Sequence, residues 1–283
     1  MNGSTLNRLA RCRPLLGTYV EITLEGDLND AQLIEISQLG FAAIEQIQEL
    51  MSFHSNTSEI TRINRHAHIE PQAISVLTFE LLQHALQLSE LSQGVFDVTI
   101  GSAMVKQRAL PDHGFCFHHS ATWQAVQLQP GCVFFSQPLQ MDLGGIAKGF
   151  AVDKAVAAMA QAGGPSLNIV VNAGGDMRMT HWQGQTVGIR HPQYPQQIVP
   201  VALKNTALAT SASYFLTAPS PTDSLSAHRG IYSPKTQTPI HTKHSYSVFA
   251  NSGLLADALT KVVALMENPA PLLKALQAEA LIL

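Results

Sequence analysis

Met141-Asp142-Leu143-Gly144-Gly145-Ile146-Ala147-Lys148-Gly149-Phe150-Ala151-Val152-Asp153 sets two adjacent glycines between an extended segment and a helix, with a lysine in the first helical turn. Glycine lets a backbone approach a ligand closely, and the opening turn of a helix offers unpaired N–H groups to an anion. A cation at Lys148 runs against the helix dipole, so a bound anion accounts for it better than helix stability does. An ordinary turn followed by an exposed lysine is the plainer alternative. The pattern is neither GxxxxGK[ST] nor GxGxxG. From Ala147 the helix is expected to run to Ala162, where Gly163-Gly164 stops it.

Downstream, Asn168 to Val171 is a short apolar run that reads as a buried strand, and it feeds into a polar break, Asn172-Ala173-Gly174-Gly175-Asp176. That second glycine-rich turn either brings backbone to a ligand or simply reverses the chain. Tyr246–Ala250 reads as a strand, Leu254–Met266 as a helix starting near Ser252, and Pro269–Leu283 as a peripheral last helix. Upstream, Leu16–Leu24 alternates Val20, Ile22 and Leu24 with polar neighbours, the pattern of a half-buried strand. After turn residues at Gly26–Asp30, Leu33, Ile36, Ile44, Ile47, Leu50 and Met51 recur at helical spacing, and a second helix fits Val76–Leu91. Pro111–Pro138 reads as irregular, and His191–Gln197 and Ala218–Asp223 as loops. Strands and helices interleave without regular βαβ spacing, so the expected class is α+β.

Composition narrows the function. The 283 residues suffice for a substantial core, and 46% hydrophobic with 13% charged residues describe a globular protein with a lightly charged surface. A formal net charge of −3 with scattered Lys and Arg gives no electrostatic case for nucleic acid or for a polybasic membrane patch. The three cysteines, Cys12, Cys116 and Cys132, read as free thiols without CxxC spacing. No apolar run reaches the length of about 18 residues that a membrane span needs. The first residues lack an apolar leader core, and Arg11 before Cys12 argues against a lipoprotein cleavage site. The location expected from the sequence as it stands is cytoplasmic, or periplasmic if a leader precedes it.

Asp257 lies inside apolar Leu254-Leu255-Ala256-Asp257-Ala258-Leu259, where a lone carboxylate is costly unless paired or bound to a metal. Lys261 at i+4 offers an intrahelical ion pair, and Thr260 at i+3 an oxygen. The 12 histidines, His118-His119 and His241/His244 among them, show neither HExxH nor a cysteine partner, and no GxSxG elbow is present.

Taken in chain order, these segments resemble the ApbE family over roughly residues 14 to 266. Leu15-Leu16-Gly17-Thr18 is similar to its N-terminal MGT strand, and Met51-Ser52-Phe53-His54 with Ser58-Glu59-Ile60-Thr61-Arg62-Ile63-Asn64 to its SE[IL]SR[LF]N segment. Gly94-Val95-Phe96-Asp97-Val98-Thr99-Ile100-Gly101, Asp142–Gly149, Asn172–Asp176, Ala209-Thr210-Ser211 and Ala256-Asp257-Ala258-Leu259 follow in family order. The resemblance implies one α+β, T-fold-like domain over residues 1–283, of mixed sheets packed with helices and with an FAD groove between two halves. It implies an FAD:protein FMN transferase that uses Mg²⁺, attaches FMN to a Thr or Ser of an acceptor protein and releases AMP. Carried over by position, the flavin nucleotide would meet Leu16, His54, Val95, Phe96, Asp97, Asp142, Lys148 and Tyr232. The metal would take the Gly145 carbonyl and the Asp257 carboxylate, oxygen donors that suit a hard ion.

The chain departs from the family pattern at several of these positions. Leu16 stands where many members have Met, and His54 where many have Tyr. Arg229-Gly230-Ile231-Tyr232-Ser233-Pro234 stands where the family reads H-I-I-D-P, with His228 two residues before Gly230. Lys261 stands where the family places a metal-binding Thr. Two further readings therefore stay open: an FAD-binding protein without transferase activity, and a metal-dependent FAD pyrophosphatase.

Overall fold

The computed structural model describes residues 6–118, 121–212 and 230–283. The loop expected at Ala218–Asp223, with His119, His228 and Arg229, lies outside the described residues. The chain opens on a hairpin, β1 (Asn7–Leu15) and β2 (Thr18–Gly26), then α1 (Asp30–Met51), α2 (Glu59–His66), β3 (Gln72–Ala73), α3 (Val76–Leu91) and α4 (Gly101–Lys106). Next come β4 (Val126–Gln129), β5 (Cys132–Phe135), α5 (Ala147–Gly163), β6 (Asn168–Ala173) and β7 (Asp176–Met179). After them lie β8 (Thr186–Arg190), β9 (Ile198–Ala202), β10 (Ala207–Ala212), β11 (Tyr232–Ser233) and β12 (Thr238–Pro239). The chain closes with β13 (Ser245–Ala250), α6 (Gly253–Leu265), α7 (Ala270–Ala275) and β14 (Glu279–Ile282). This is the α+β class expected.

A seven-stranded antiparallel sheet, ordered β1-β2-β6-β7-β10-β13-β14, organises the molecule. Its strands alternate by the period-2 rule. Val20, Ile22 and Leu24, Ile169 and Val171, Ala207 and Ala209, and Val248 and Ala250 join the main core, against which α1, α5 and α6 pack. The intervening Leu208 and Phe249, with Met179, face the opposite way and are covered by Ile189 and Leu203 from the β8–β9 hairpin region. Helix ends follow local chemistry. Asn29 and Gln32 form a reciprocal capping box at α1, Ser75 caps α3, and Gly164 (φ 77°) stops α5.

The second half, α2, α3 and the small β3-β5-β4 sheet, is tied to the first by polar latches. The Asn64 amide donates to the Met141 carbonyl (2.9 Å) and accepts from the Met141 N–H (2.8 Å), while the Asp142 N–H donates to the Val98 carbonyl (2.8 Å). These bonds fix the segment entering the double glycine.

Two expectations are corrected. Pro111–Pro138 contains the β4–β5 hairpin, because Val126 and Leu128 alternate with glutamines and Gly131 (φ 79°) supplies the turn. The last segment is not one helix. Helix α7 ends at Ala275, Gln277 takes a left-handed conformation (φ 53°), and β14 then completes the sheet edge against β13.

Candidate active site

Helices α5 and α6 cross with their backbones in contact. A Cβ on Gly149 would run into the Gly253 carbonyl, and one on Gly253 would stand 2.6 Å from the Gly149 carbonyl oxygen. The crossing sets the first turn of each helix beside the other, and each supplies a carboxylate to its neighbour. Asp257 of α6 accepts from the Gly149 N–H (3.1 Å), and Asp153 of α5 accepts from the Gly253 and Leu254 N–H groups (2.8 and 2.9 Å). Carboxylates at helix starts satisfy orphan donors and the dipole together. Asp153 also receives Arg178 of β7 at 2.6 Å.

The Gly174-Gly175 turn (φ 64° and 106°) closes the β6–β7 hairpin and delivers Asp176 to the same place. Asp176 receives the Lys148 ammonium, which also lies 3.4 Å from Asp257, and the other Asp257 oxygen receives Lys261. Lys261 donates as well to the Asp257 carbonyl at 3.0 Å. Exposure stratifies the cluster: the Asp257 and Asp176 side chains are 1% and 4% exposed, those of Lys148 and Lys261 32% and 19%. Two ammoniums thus roof two buried carboxylates. Burial pushes Asp257 up, but Lys148 and Lys261 outweigh it and hold its carboxyl low. For Asp176, burial and then the repulsion of Asp257 push the carboxyl up to about 6 against both lysines. Burial lowers the Lys148 ammonium, and the two carboxylates more than reverse that.

This changes the reading of three residues. The cation that runs against the α5 dipole has two carboxylate partners, so an anion is not needed to explain it. Asp257 makes the intrahelical pair with Lys261 that its i+4 spacing allows. Thr260 offers no oxygen to the cluster: its hydroxyl donates to the Asp257 carbonyl and meets Ser211, each at 2.7 Å.

A cavity of about 650 Å³ has a lining that includes Val95, Asp97, Trp123, Ser233, Lys235 and Leu265, but not the cluster's own side chains. A volume of that order suits a small-molecule ligand. Asp97 shapes its wall by accepting from the Thr99 N–H and hydroxyl (2.8 and 2.7 Å) and from the Trp123 N–H (3.2 Å). Burial raises its carboxyl nonetheless. Leu265 stands one helical turn beyond Lys261 on α6. Buried Phe96 and the Lys261 stem both approach Gly145: a Cβ there would lie 3.5 Å from Lys261 Cε and 3.9 Å from Phe96 Cε2. Asp142 is half-buried, and burial pushes its carboxyl up to about 6 against a bond from the Gly144 N–H (3.2 Å) and the charge of Lys261.

Of the positions expected to meet a ligand, Val95 and Asp97 line the cavity, Lys148 and Asp257 belong to the ion-pair cluster, and Phe96, Asp142 and Gly145 lie near Lys261 without lining the cavity. Tyr232 is buried on β11 next to the cavity-lining Ser233. Leu16 turns the β1–β2 hairpin (φ 55°) with its N–H on the Gln48 side chain (2.6 Å), and His54 is exposed after α1; neither lines the cavity. Sequence reasoning gave no role to Asp153, Asp176 or Trp123. The signal for Asp176 was its place right after a double glycine. For Asp153 it was a carboxylate on the same helix as Gly149.

Comparison with known proteins adds the following. A family model described as ApbE family matches residues 16–282. An FAD:protein FMN transferase of Vibrio cholerae is 28% identical over 60% of this chain and 56% of its own length, so the chain spans little more than half of that relative. One from Treponema pallidum is 28% identical over 88% of this chain and 76% of its own. Among solved structures, an ApbE protein of Thermotoga maritima superposes with a TM-score of 0.83 at 23% identity, covering 98% of this chain and 94% of that one. The flavin transferase ApbE of Vibrio cholerae gives 0.78 at 24%, covering 98% and 93%.

Proposed function

The chain belongs to the ApbE family, and from that premise we propose that it acts on FAD as an FAD:protein FMN transferase. The observation that carries the reading is the pair of ammoniums, Lys148 and Lys261, at the glycine-rich start of α5, with a cavity of about 650 Å³ reached one turn further along α6 at Leu265. A dinucleotide pyrophosphate needs close backbone and positive charge next to a space for its rings. Val95 and Leu265 offer apolar contact to such a ring system. The reaction is a phosphoryl transfer. A Thr or Ser hydroxyl of the acceptor protein attacks the phosphorus on the riboflavin side of FAD. A new P–O bond forms, the bond to the bridging oxygen breaks, AMP leaves with that oxygen, and the hydroxyl proton is released. Charge that builds on the departing phosphate is what the two ammoniums are set to meet.

A divalent ion at the Gly145 carbonyl and Asp257, which the resemblance implies, does not fit the donor set. One Asp257 oxygen carries Lys261, the other carries the Gly149 N–H and lies near Lys148, and the carbonyl of Asp257 also receives Lys261.

The test is incubation of the protein with FAD and an acceptor carrying a Thr/Ser flavinylation site, scored by the mass of the FMN adduct and by AMP release. Adduct and AMP in equal amounts support transfer. FMN and AMP without adduct indicate a pyrophosphatase. Bound, uncleaved FAD indicates a binding protein, the reading that the filled Asp257 site favours second.

A further inference from the structure

We propose that the Lys261 ammonium takes the place of a divalent cation in this chain, so that FAD is held without metal. The inference rests on the FAD reading above and specifies how its pyrophosphate is met.

Three observations carry it. The first is position. The Lys261 stem lies against Gly145, its ammonium sits on an oxygen of Asp257, and its helix contributes Leu265 to the cavity wall one turn further on. The second is stratification. The carboxylates that could attract a divalent ion are 1% and 4% exposed, whereas the lysines above them are 19% and 32% exposed. A cation arriving from solvent meets the more exposed ammoniums before it meets a carboxylate, while an anion meets its counter-charges at once. The third is charge balance. Asp257 and Asp176 face Lys148 and Lys261, and Asp142 also feels Lys261, so two of the three carboxylate charges are already offset by fixed ammoniums. A divalent ion added to these lysines would leave the cluster with excess positive charge unless a lysine withdrew. Lys261 is anchored on both the carboxylate and the main-chain carbonyl of Asp257, which opposes withdrawal.

An ammonium with three donors can hold Asp257 and still present an N–H to a phosphate oxygen. It cannot reproduce the octahedral, water-bearing shell of Mg²⁺. The chain is then expected to bind the pyrophosphate through fixed side-chain charge, with an affinity that salt weakens and chelators leave unchanged.

The experiment measures FAD affinity by calorimetry for wild type, Lys261→Arg, Lys261→Met and Lys261→Thr. Each is measured in EDTA and in excess MgCl₂, with thermal melts to confirm folding. Expected are a wild-type Kd that changes less than about twofold between the two conditions, retention within about threefold in Lys261→Arg, and a loss of at least about tenfold in Lys261→Met. Lys261→Thr is expected to bind weakly in EDTA and to recover with Mg²⁺, because Asp257 is then free. As a readout independent of FAD, wild type titrated with Mn²⁺ alone should show no stoichiometric bound-metal signal by electron paramagnetic resonance, and Lys261→Thr should gain one. Wild-type binding that collapses in EDTA, or a folded Lys261→Met that binds as wild type does, overturns the inference while leaving the FAD reading in place. Absence of FAD binding in every condition overturns both.

Discussion

Replacing Asp153 by alanine tests whether reciprocal capping of α5 and α6 is what holds the site together. Its two oxygens accept from the Gly253 N–H (2.8 Å), the Leu254 N–H (2.9 Å) and Arg178 (2.6 Å), and its side chain is 13% exposed. Losing an N-cap costs about 0.5–2 kcal/mol, and a hydrogen bond to a charged group contributes about 1.5–3 kcal/mol. The contributions share one side chain and are not additive, so the expected loss is about 2–4 kcal/mol. Against a typical stability of about 5–15 kcal/mol that is a large share, readable by urea unfolding. Asp153→Asn keeps one acceptor oxygen and is expected to lose roughly half as much. Arg178→Met, which removes only a partly exposed partner, should cost about 1 kcal/mol or less. Since α6 also carries Asp257 and Lys261, FAD affinity should fall in Asp153→Ala even under conditions where the variant is fully folded. A loss below about 0.5 kcal/mol, or an Asn variant as unstable as the Ala variant, would refute the capping argument.

Other consequences follow from the same geometry. Gly149→Ala sets a Cβ into the Gly253 carbonyl, a backbone atom that cannot rotate away, and should cost more than about 3 kcal/mol or prevent folding, as a thermal melt would show. Asp142 has its carboxyl pushed up to about 6 from an ordinary 3.8, so the proton it holds when folded stabilises the protein at low pH, and that contribution is lost as pH rises through about 6. Wild-type stability should therefore decline relative to Asp142→Asn between pH 4 and pH 8 by about 1–3 kcal/mol, and parallel curves in urea would count against the assignment. Trp123 lines the cavity whereas Trp182 packs with the cluster on the far face of the sheet, so FAD should quench Trp182→Phe as it does wild type and leave Trp123→Phe almost unquenched.

How far the sequence could be read follows from the range of the interactions involved. Helix α3 spans Val76–Leu91 as its periodicity suggests, and α5 ends where Gly163-Gly164 stops it, because local spacing and turns are settled within a few residues. Strand β1 is not legible in the sequence, because Arg8, Arg11 and Arg13 interrupt its apolar pattern. Only the fold shows that Arg13 lies over the Phe41 ring (4.4 Å) and pairs with Glu45 (3.0 Å). Strand β14 likewise means nothing until β13 offers it an edge. At the site, the i+4 pair of Asp257 with Lys261 was legible because both lie on one helix face. The partners of Lys148 were not, since Asp176 is 28 residues away and Asp257 109, brought in by a hairpin and by a helix crossing.

That difference in range also decides how an anion can be met here. Read locally, the Gly144-Gly145 turn before α5 offers backbone N–H groups to a phosphate. In the folded chain the Gly149 N–H already belongs to Asp257, and the close crossing of α5 and α6 that creates this bond is enforced by Gly149 and Gly253 together. The Gly144 N–H is likewise engaged, by Asp142. Much of what a free helix start would contribute to anion binding is thus consumed in holding α5 against α6. What remains exposed is side-chain charge, Lys148 and Lys261 above their buried carboxylates. The recognition of a pyrophosphate then depends on how those two lysines are divided between the carboxylates below and the ligand above, which makes the helix crossing, and not the glycine turn alone, the element on which the site depends.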